Sequence, residues 1–218
     1  MLDALGPIVA LSLYVSGLAL AIATAIGLPL GALLALRPIP GKRLVELLLY
    51  TGMGLPPVVV GLAVYLLLSR SGPLGGLGWL FTPPAMIMAQ VIIALPLVAG
   101  LTMTAIEGLD PGLRLQLRSL GASPRQVMWT LLGEARGGVL AAIVAAFGGI
   151  LSEVGAVMLV GGNIEGQTRV LTTAIVLETR KGDFTLALAL GGVLLTLAFV
   201  SNAALLRLSG KVRHIRAD

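Results

Sequence analysis

Glu107-Gly-Leu-Asp110-Pro111-Gly112-Leu-Arg114-Leu115-Gln116-Leu117-Arg118-Ser119-Leu120-Gly121-Ala122-Ser123-Pro124, continuing from Arg125 to Arg136, is the longest polar interval in a chain of strongly apolar segments. Two helix starts are written into it. Asp110 before Pro111 is an N-cap with proline at the first helical position, and Ser123 before Pro124 repeats the device. Gln126 lies three residues after Ser123 and completes a capping box. Gly121, free to take positive φ, can end the first helix. The spacing predicts a short helix, a tight turn and a second helix. A plain spacer between two apolar segments does not need two capped helix starts, whereas an element on which a partner docks does.

The surrounding composition says where this element sits. Of 218 residues, 57% are hydrophobic and 11% charged, and the mean hydropathy is +1.00. Soluble domains carry about 25% charged residues, so the chain belongs in a bilayer and reads as a single unit over residues 1–218. With no cysteine, disulfides and Cys-ligated metal centres are excluded. The single histidine, His214, lies in a basic tail, which leaves nothing for a His-based metal site or a Ser-His relay.

Working outward, the apolar runs predict five membrane spans at roughly 5–36, 45–69, 85–106, 138–160 and 184–206, each near the 20 or so residues that a crossing needs. The first is long or tilted. Its Gly27 and Gly31 form a GxxxG pair suited to close helix contact. The second contains Pro56-Pro57, which remove two backbone donors and break regular helix. That break is either a structural kink or a bend lining a pathway, because freed carbonyls inside a bilayer need protein or water to satisfy them. Trp79 and Phe81 in the loop 71–84 read as interfacial anchors. Glu153 falls inside the fourth span. The interval 164–183 carries an apolar pattern at Val170, Leu171, Ala174, Ile175 and Leu177, which suits a short amphipathic helix on or dipping into the membrane.

Lys and Arg counts set the orientation. Eleven of the fifteen, including Arg37, Arg43, Arg114, Arg118, Arg125 and Arg136, fall on one side and four on the other. The eleven belong in the cytoplasm, which puts the N-terminus outside and residues 107–136 inside. The net charge of +5 is thereby accounted for by topology, and no nucleic-acid partner is expected.

Arg118-Ser-Leu-Gly-Ala-Ser-Pro-Arg-Gln-Val-Met-Trp129 resembles the cytoplasmic "EAA" loop of binding-protein-dependent ABC importer permeases. The positions of the namesake Glu-Ala-Ala carry Leu115, Gln116 and Leu117. Leu55-Pro-Pro-Val-Val-Val-Gly61 and Ser152-Glu-Val-Gly-Ala-Val-Met-Leu-Val-Gly-Gly-Asn163 look like segments of the molybdate, sulfate and tungstate group, and the stretch from Ile164 to Phe184 is most similar to tungstate-type permeases. The resemblance implies an all-α integral membrane fold of the type I importer kind, with 107–136 as the coupling segment. It implies a homodimer of this chain in the cell membrane, two ATP-binding subunits and an extracytoplasmic oxyanion-binding protein. ATP and Mg would be bound by the ATPase, so no cofactor is expected in this chain. It carries no Gly-x-x-x-x-Gly-Lys-Ser/Thr phosphate loop. A molybdate or sulfate permease is the alternative cargo reading. An intramembrane hydrolase would have to use Ser152-Glu153, which has neither a histidine nor a second acid beside it, and a non-transporting scaffold leaves the capped helices unexplained.

The candidate coupling residues are Leu115, Leu117, Arg118, Leu120, Gly121, Ala122, Ser123, Pro124 and Arg125. The leucines are apolar side chains at a cytoplasmic surface that want a cover, and Arg118 and Arg125 could pair with acids on the ATPase or simply mark the inner side. The candidate pathway or gate residues are Pro56, Pro57, Glu153, Asn163, Arg169, Thr172 and Thr173. Arg169 could contact a tetrahedral oxyanion through its guanidinium or snorkel at the interface. Thr172 and Thr173 could supply uncharged hydroxyl donors. Glu153 would repel an anion, so it is expected to be hydrogen-bonded or paired, holding the span in register or serving a gate.

Overall fold

The computed structural model describes residues 2–38 and 40–213. His214 and Arg216 of the basic tail lie outside the described residues. Among the described residues there are ten α-helices and no strand. α1 (Leu2–Leu36) runs unbroken through Pro7 and Pro29. At about 1.5 Å per residue, its 35 residues outreach a hydrocarbon core of about 30 Å.

Small residues recur every fourth position along α1 and turn toward α4 (Pro83–Glu107). Ala19 and Ala23 are fully buried. A Cβ on Gly27 would come within 2.9 Å of Val98 Cγ1, and one on Gly31 would run into the Ala99 carbonyl oxygen. The expected close contact at the GxxxG pair is therefore made, with α4 as its partner. α4 is the centre of the bundle: 56% of its most apolar window is buried, against 33% for α1 and 11% for α10 (Phe184–Arg213).

The region 45–69 is two helices. α2 (Lys42–Met53) and α3 (Pro57–Leu68) meet at 103°. Pro56 is the N-cap of α3 and Pro57 its first residue. The prolines thus start a new helix instead of bending a continuous one, since a missing N–H costs nothing in the first turn.

The region 138–160 also differs from the single helix expected. α5 (Pro111–Ser119) and α6 (Pro124–Glu134) precede α7 (Arg136–Leu151), which turns 72° from α6. α7 stops at Leu151, and α8 (Gly155–Gly161) follows after a three-residue break. α1, α4 and α10 are long and apolar enough to cross a membrane, and the bent pairs α2/α3 and α6/α7 raise the count to as many as five.

α9 (Leu171–Lys181) occupies the polar interval 164–183. Leu171 to Ala174 are buried, whereas Thr179 to Lys181 are exposed, so the helix enters the bundle at its N-terminal end. α1, α3, α4, α7 and α8 share the main apolar core. A second cluster around Ala32, Val127 and Leu131 supports α5 and α6.

Candidate functional site

The coupling segment folds by local rules. Asp110 Oδ1 accepts the Gly112 N–H at 2.8 Å. Ser123 and Gln126 form the reciprocal box, with the Ser123 N–H donating to Gln126 Oε1 at 2.8 Å and the Gln126 N–H to Ser123 Oγ at 3.4 Å. Gly121 has φ +79°. Its N–H reaches the Arg118 carbonyl and the Ala122 N–H reaches the Leu117 carbonyl, each at 3.0 Å. That pair of bonds is a Schellman motif, which also brings the residues at its two ends together on the apolar side.

The motif explains which side chains are free. Leu117 and Ala122 pack on the cluster with Val127 and Leu131. Leu115 and Leu120 are 66% and 84% exposed, and Trp129 is 62% exposed on the next helix. Leu117, expected on the docking face, is therefore a supporting residue. Trp129 joins the exposed apolar set, and its position at the end of the quoted loop sequence was the available signal. Pro124 begins α6, and Arg118 and Arg125 are exposed on the two sides of the turn.

The two helix breaks pack against each other. A Cβ on Gly61 of α3 would stand 2.5 Å from Ala156 Cα of α8, and one on Gly155 would meet Val58 Cγ2 at 2.5 Å. Pro56-Pro57 and Glu153 thus lie at the starts of two helices in contact. The break 152–154 is closed by side chains. Ser152 Oγ turns back to the carbonyls of Gly148 and Gly149 at 2.9 and 3.1 Å. Gln90 of α4 donates Nε2–H to the Ile150 carbonyl at 3.0 Å, and Thr172 of α9 donates to the Glu153 carbonyl at 2.8 Å. Carbonyls freed by a broken helix at membrane depth require such donors.

Glu153 is half-buried, and its Oε1 accepts the Ala156 N–H at 2.9 Å. It accepts from the first turn of α8, so the carboxylate is hydrogen-bonded. Ser12, Ser16, Gln90, Glu153 and Thr172 border a cavity of about 10 Å³. That is about the space of one water, so this junction holds helices together and has no room for a tetrahedral oxyanion. Gln90 was missed in the sequence, although a lone amide inside the apolar run 85–106 was a visible signal.

Thr173 is fully buried, and its hydroxyl donates to the Val170 carbonyl at 3.1 Å while accepting the Val170 N–H. The Thr172 and Thr173 hydroxyl protons are both committed to carbonyls. Asn163 sits at φ +52° after Gly162 at +71°, and its Oδ1 is buried without a partner among the described residues. Arg169 pairs with Glu165 at 3.3 Å, has a side chain 17% exposed and keeps a buried Nε without a partner among the described residues. Cavities of about 280 Å³ open on both sides of it, one toward Pro7 and Leu11, the other toward Glu178 and Leu190. Arg169 lines both of these cavities.

The comparisons with known proteins agree with this arrangement. Residues 27–214 match the model of the family described as binding-protein-dependent transport system inner membrane component. A probable anion ABC transporter permease protein of Haloferax volcanii is 45% identical over 90% of this chain and 87% of its own length. The tungstate uptake system permease protein TupB of Peptoclostridium acidaminophilum is 42% identical over 91% and 87%. A chain solved in inward-facing conformations of the MetNI methionine ABC transporter shares the fold at TM-score 0.81, with 22% identity and 97% of both chains covered. The chain belongs to the family of binding-protein-dependent transport system inner membrane components.

Proposed function

We propose that this chain is the permease subunit of an ATP-driven importer whose cargo is an oxyanion, tungstate in particular. The observation that carries the cargo is the 42% identity to a tungstate uptake permease, sustained over nine-tenths of the chain. The capped α5–turn–α6 element with Leu115, Leu120 and Trp129 exposed supports docking of a separate ATPase. In this reading residues 1–218 act as one permease domain in the cell membrane with the N-terminus outside. Two copies form the pathway, two ATPase subunits bind ATP and Mg, and an extracytoplasmic binding protein delivers the anion. The permease itself catalyses nothing.

The test is ATP-driven uptake into vesicles that hold this chain with its ATPase and binding protein. Tungstate, molybdate and sulfate are offered singly and in competition. Tungstate uptake that excess sulfate leaves intact is expected. Uptake led by molybdate or sulfate would keep the importer and reassign its cargo.

A further inference from the structure

Four arginines, Arg37, Arg114, Arg118 and Arg125, are among the residues lining one cavity of about 270 Å³ between the end of α1 and the coupling helices. None of them has a carboxylate within ion-pair distance among the described residues. Arg114 is fixed in place, since its Nη2 donates to the Leu36 carbonyl at the last residue of α1. Positive residues that only mark the inner side of a membrane need not gather around one space, and like charges left together repel. Such a set wants an anion with several oxygens, and guanidinium forks fit phosphate oxygens in pairs.

The walls choose among phosphate sources. Leu33 and Leu36 line the same cavity from α1, and Val127 and Met128 from α6. Arg37 is the first charge after the apolar run that begins at Leu5, which puts the cavity at the membrane surface. A basic rim at that depth, with an apolar wall continuing into a spanning helix, matches a phospholipid headgroup and the start of its chains.

We infer that this four-arginine cavity is a binding site for the phosphate of an anionic phospholipid, seated between α1 and the coupling segment. A lipid held there would connect the membrane surface to the element on which the ATPase docks.

The test uses the full chain assembled with its ATPase, in nanodiscs of phosphatidylcholine with or without phosphatidylglycerol, and reads retained lipid by native mass spectrometry. Wild type is expected to retain phosphatidylglycerol over phosphatidylcholine. The double variant Arg37→Gln with Arg118→Gln is expected to lose about tenfold or more of that retention, as removal of charge-assisted contacts implies. Arg43→Gln, outside the cavity, should retain lipid as wild type does. Equal retention of the two lipids by wild type overturns the inference without recourse to any variant. Displacement of the lipid by inorganic phosphate would make this a free-anion site and overturn the lipid assignment. Retention that occurs only without the ATPase would assign the arginines to ATPase carboxylates and overturn it as well.

Discussion

The Thr172 hydroxyl donates a 2.8 Å hydrogen bond to the backbone carbonyl oxygen of Glu153, nineteen residues earlier. The bond fastens the buried start of α9 to the gap between α7 and α8. Gln90 fastens the same gap from α4, one turn away, at the Ile150 carbonyl. Gln90 adds a second donor at the Ile150 carbonyl, which the Glu153 N–H also reaches at 3.3 Å, and Thr172 supplies the donor at the Glu153 carbonyl. The break is thereby tied to α4 on its α7 side and to α9 at Glu153.

Thr172→Val removes the donor and leaves a carbonyl without a partner in a buried place. Such a loss costs about 1–3 kcal/mol, so the purified protein should unfold at lower temperature than wild type. Thr172→Ser keeps the hydroxyl and should lie close to wild type. Thermal unfolding in detergent separates the two, and equal melting of Val and Ser variants would remove the bond from the account.

Glu153 is asked here for an oxygen acceptor, not for its charge. Glu153→Gln can still accept the Ala156 N–H, whereas Glu153→Ala cannot and should lose about 1 kcal/mol, the usual worth of a cap. Anion uptake should survive the Gln change and fall with the Ala change in step with stability. Uptake abolished by Gln in a stably folded protein would assign a role to the negative charge.

The coupling turn was legible because its rules are local: Asp110, Ser123, Gln126 and Gly121 each act within a few residues. The break in 138–160 was not. Ser152-Glu153 stood out as polar residues in an apolar run, but the donors that make a gap tolerable, Gln90 and Thr172, come from other helices. The packing side of Leu117 is not legible for a related reason. Its direction follows from the cluster beneath it, which gathers Ala32 of α1 and Leu131 of α6. Arg169 stands out by residue type, while its pairing with Glu165 does not show in the sequence. Both sit in one loop, where neither helical nor strand period guides the pairing.

Gly61 of α3 packs directly against the Ala156 backbone of α8. Gly61→Val would press a side chain into the Ala156 backbone, which cannot turn aside as a flexible side chain could. Overpacking of this kind costs about 1–3 kcal/mol, with loss of monodisperse protein in size-exclusion chromatography as the readout. Gly76→Ala, where a Cβ would meet nothing within 4 Å, should leave the elution profile unchanged.

Gly121 holds φ +79° with open space around its Cα. Gly121→Ala therefore costs through backbone conformation alone, about 1–2 kcal/mol, and Gly121→Asn should cost less because Asn visits this region more readily. The expected result is weaker capture of the ATPase by the Ala variant than by the Asn variant, with α7 and the rest of the bundle intact by circular dichroism. Equal capture by the two would mean that docking does not depend on the turn.

Leu117 and Leu120 are three residues apart and give opposite expectations. Leu120 is 84% exposed, so Leu120→Asp should leave the melting temperature of the isolated permease within the small range typical of surface changes, about 0.5 kcal/mol. It should still abolish co-purification of the ATPase, because a carboxylate would replace the apolar contact. Leu117 packs on the cluster with Val127 and Leu131, so Leu117→Asp should destabilise the permease itself by burying a charge without a partner. Its effect on ATPase capture would follow from unfolding of α5 rather than from a lost contact. Measuring both properties on both variants decides which side of α5 the partner touches. A Leu120→Asp protein that still captures the ATPase would turn the docking face elsewhere, toward Leu115 and Trp129.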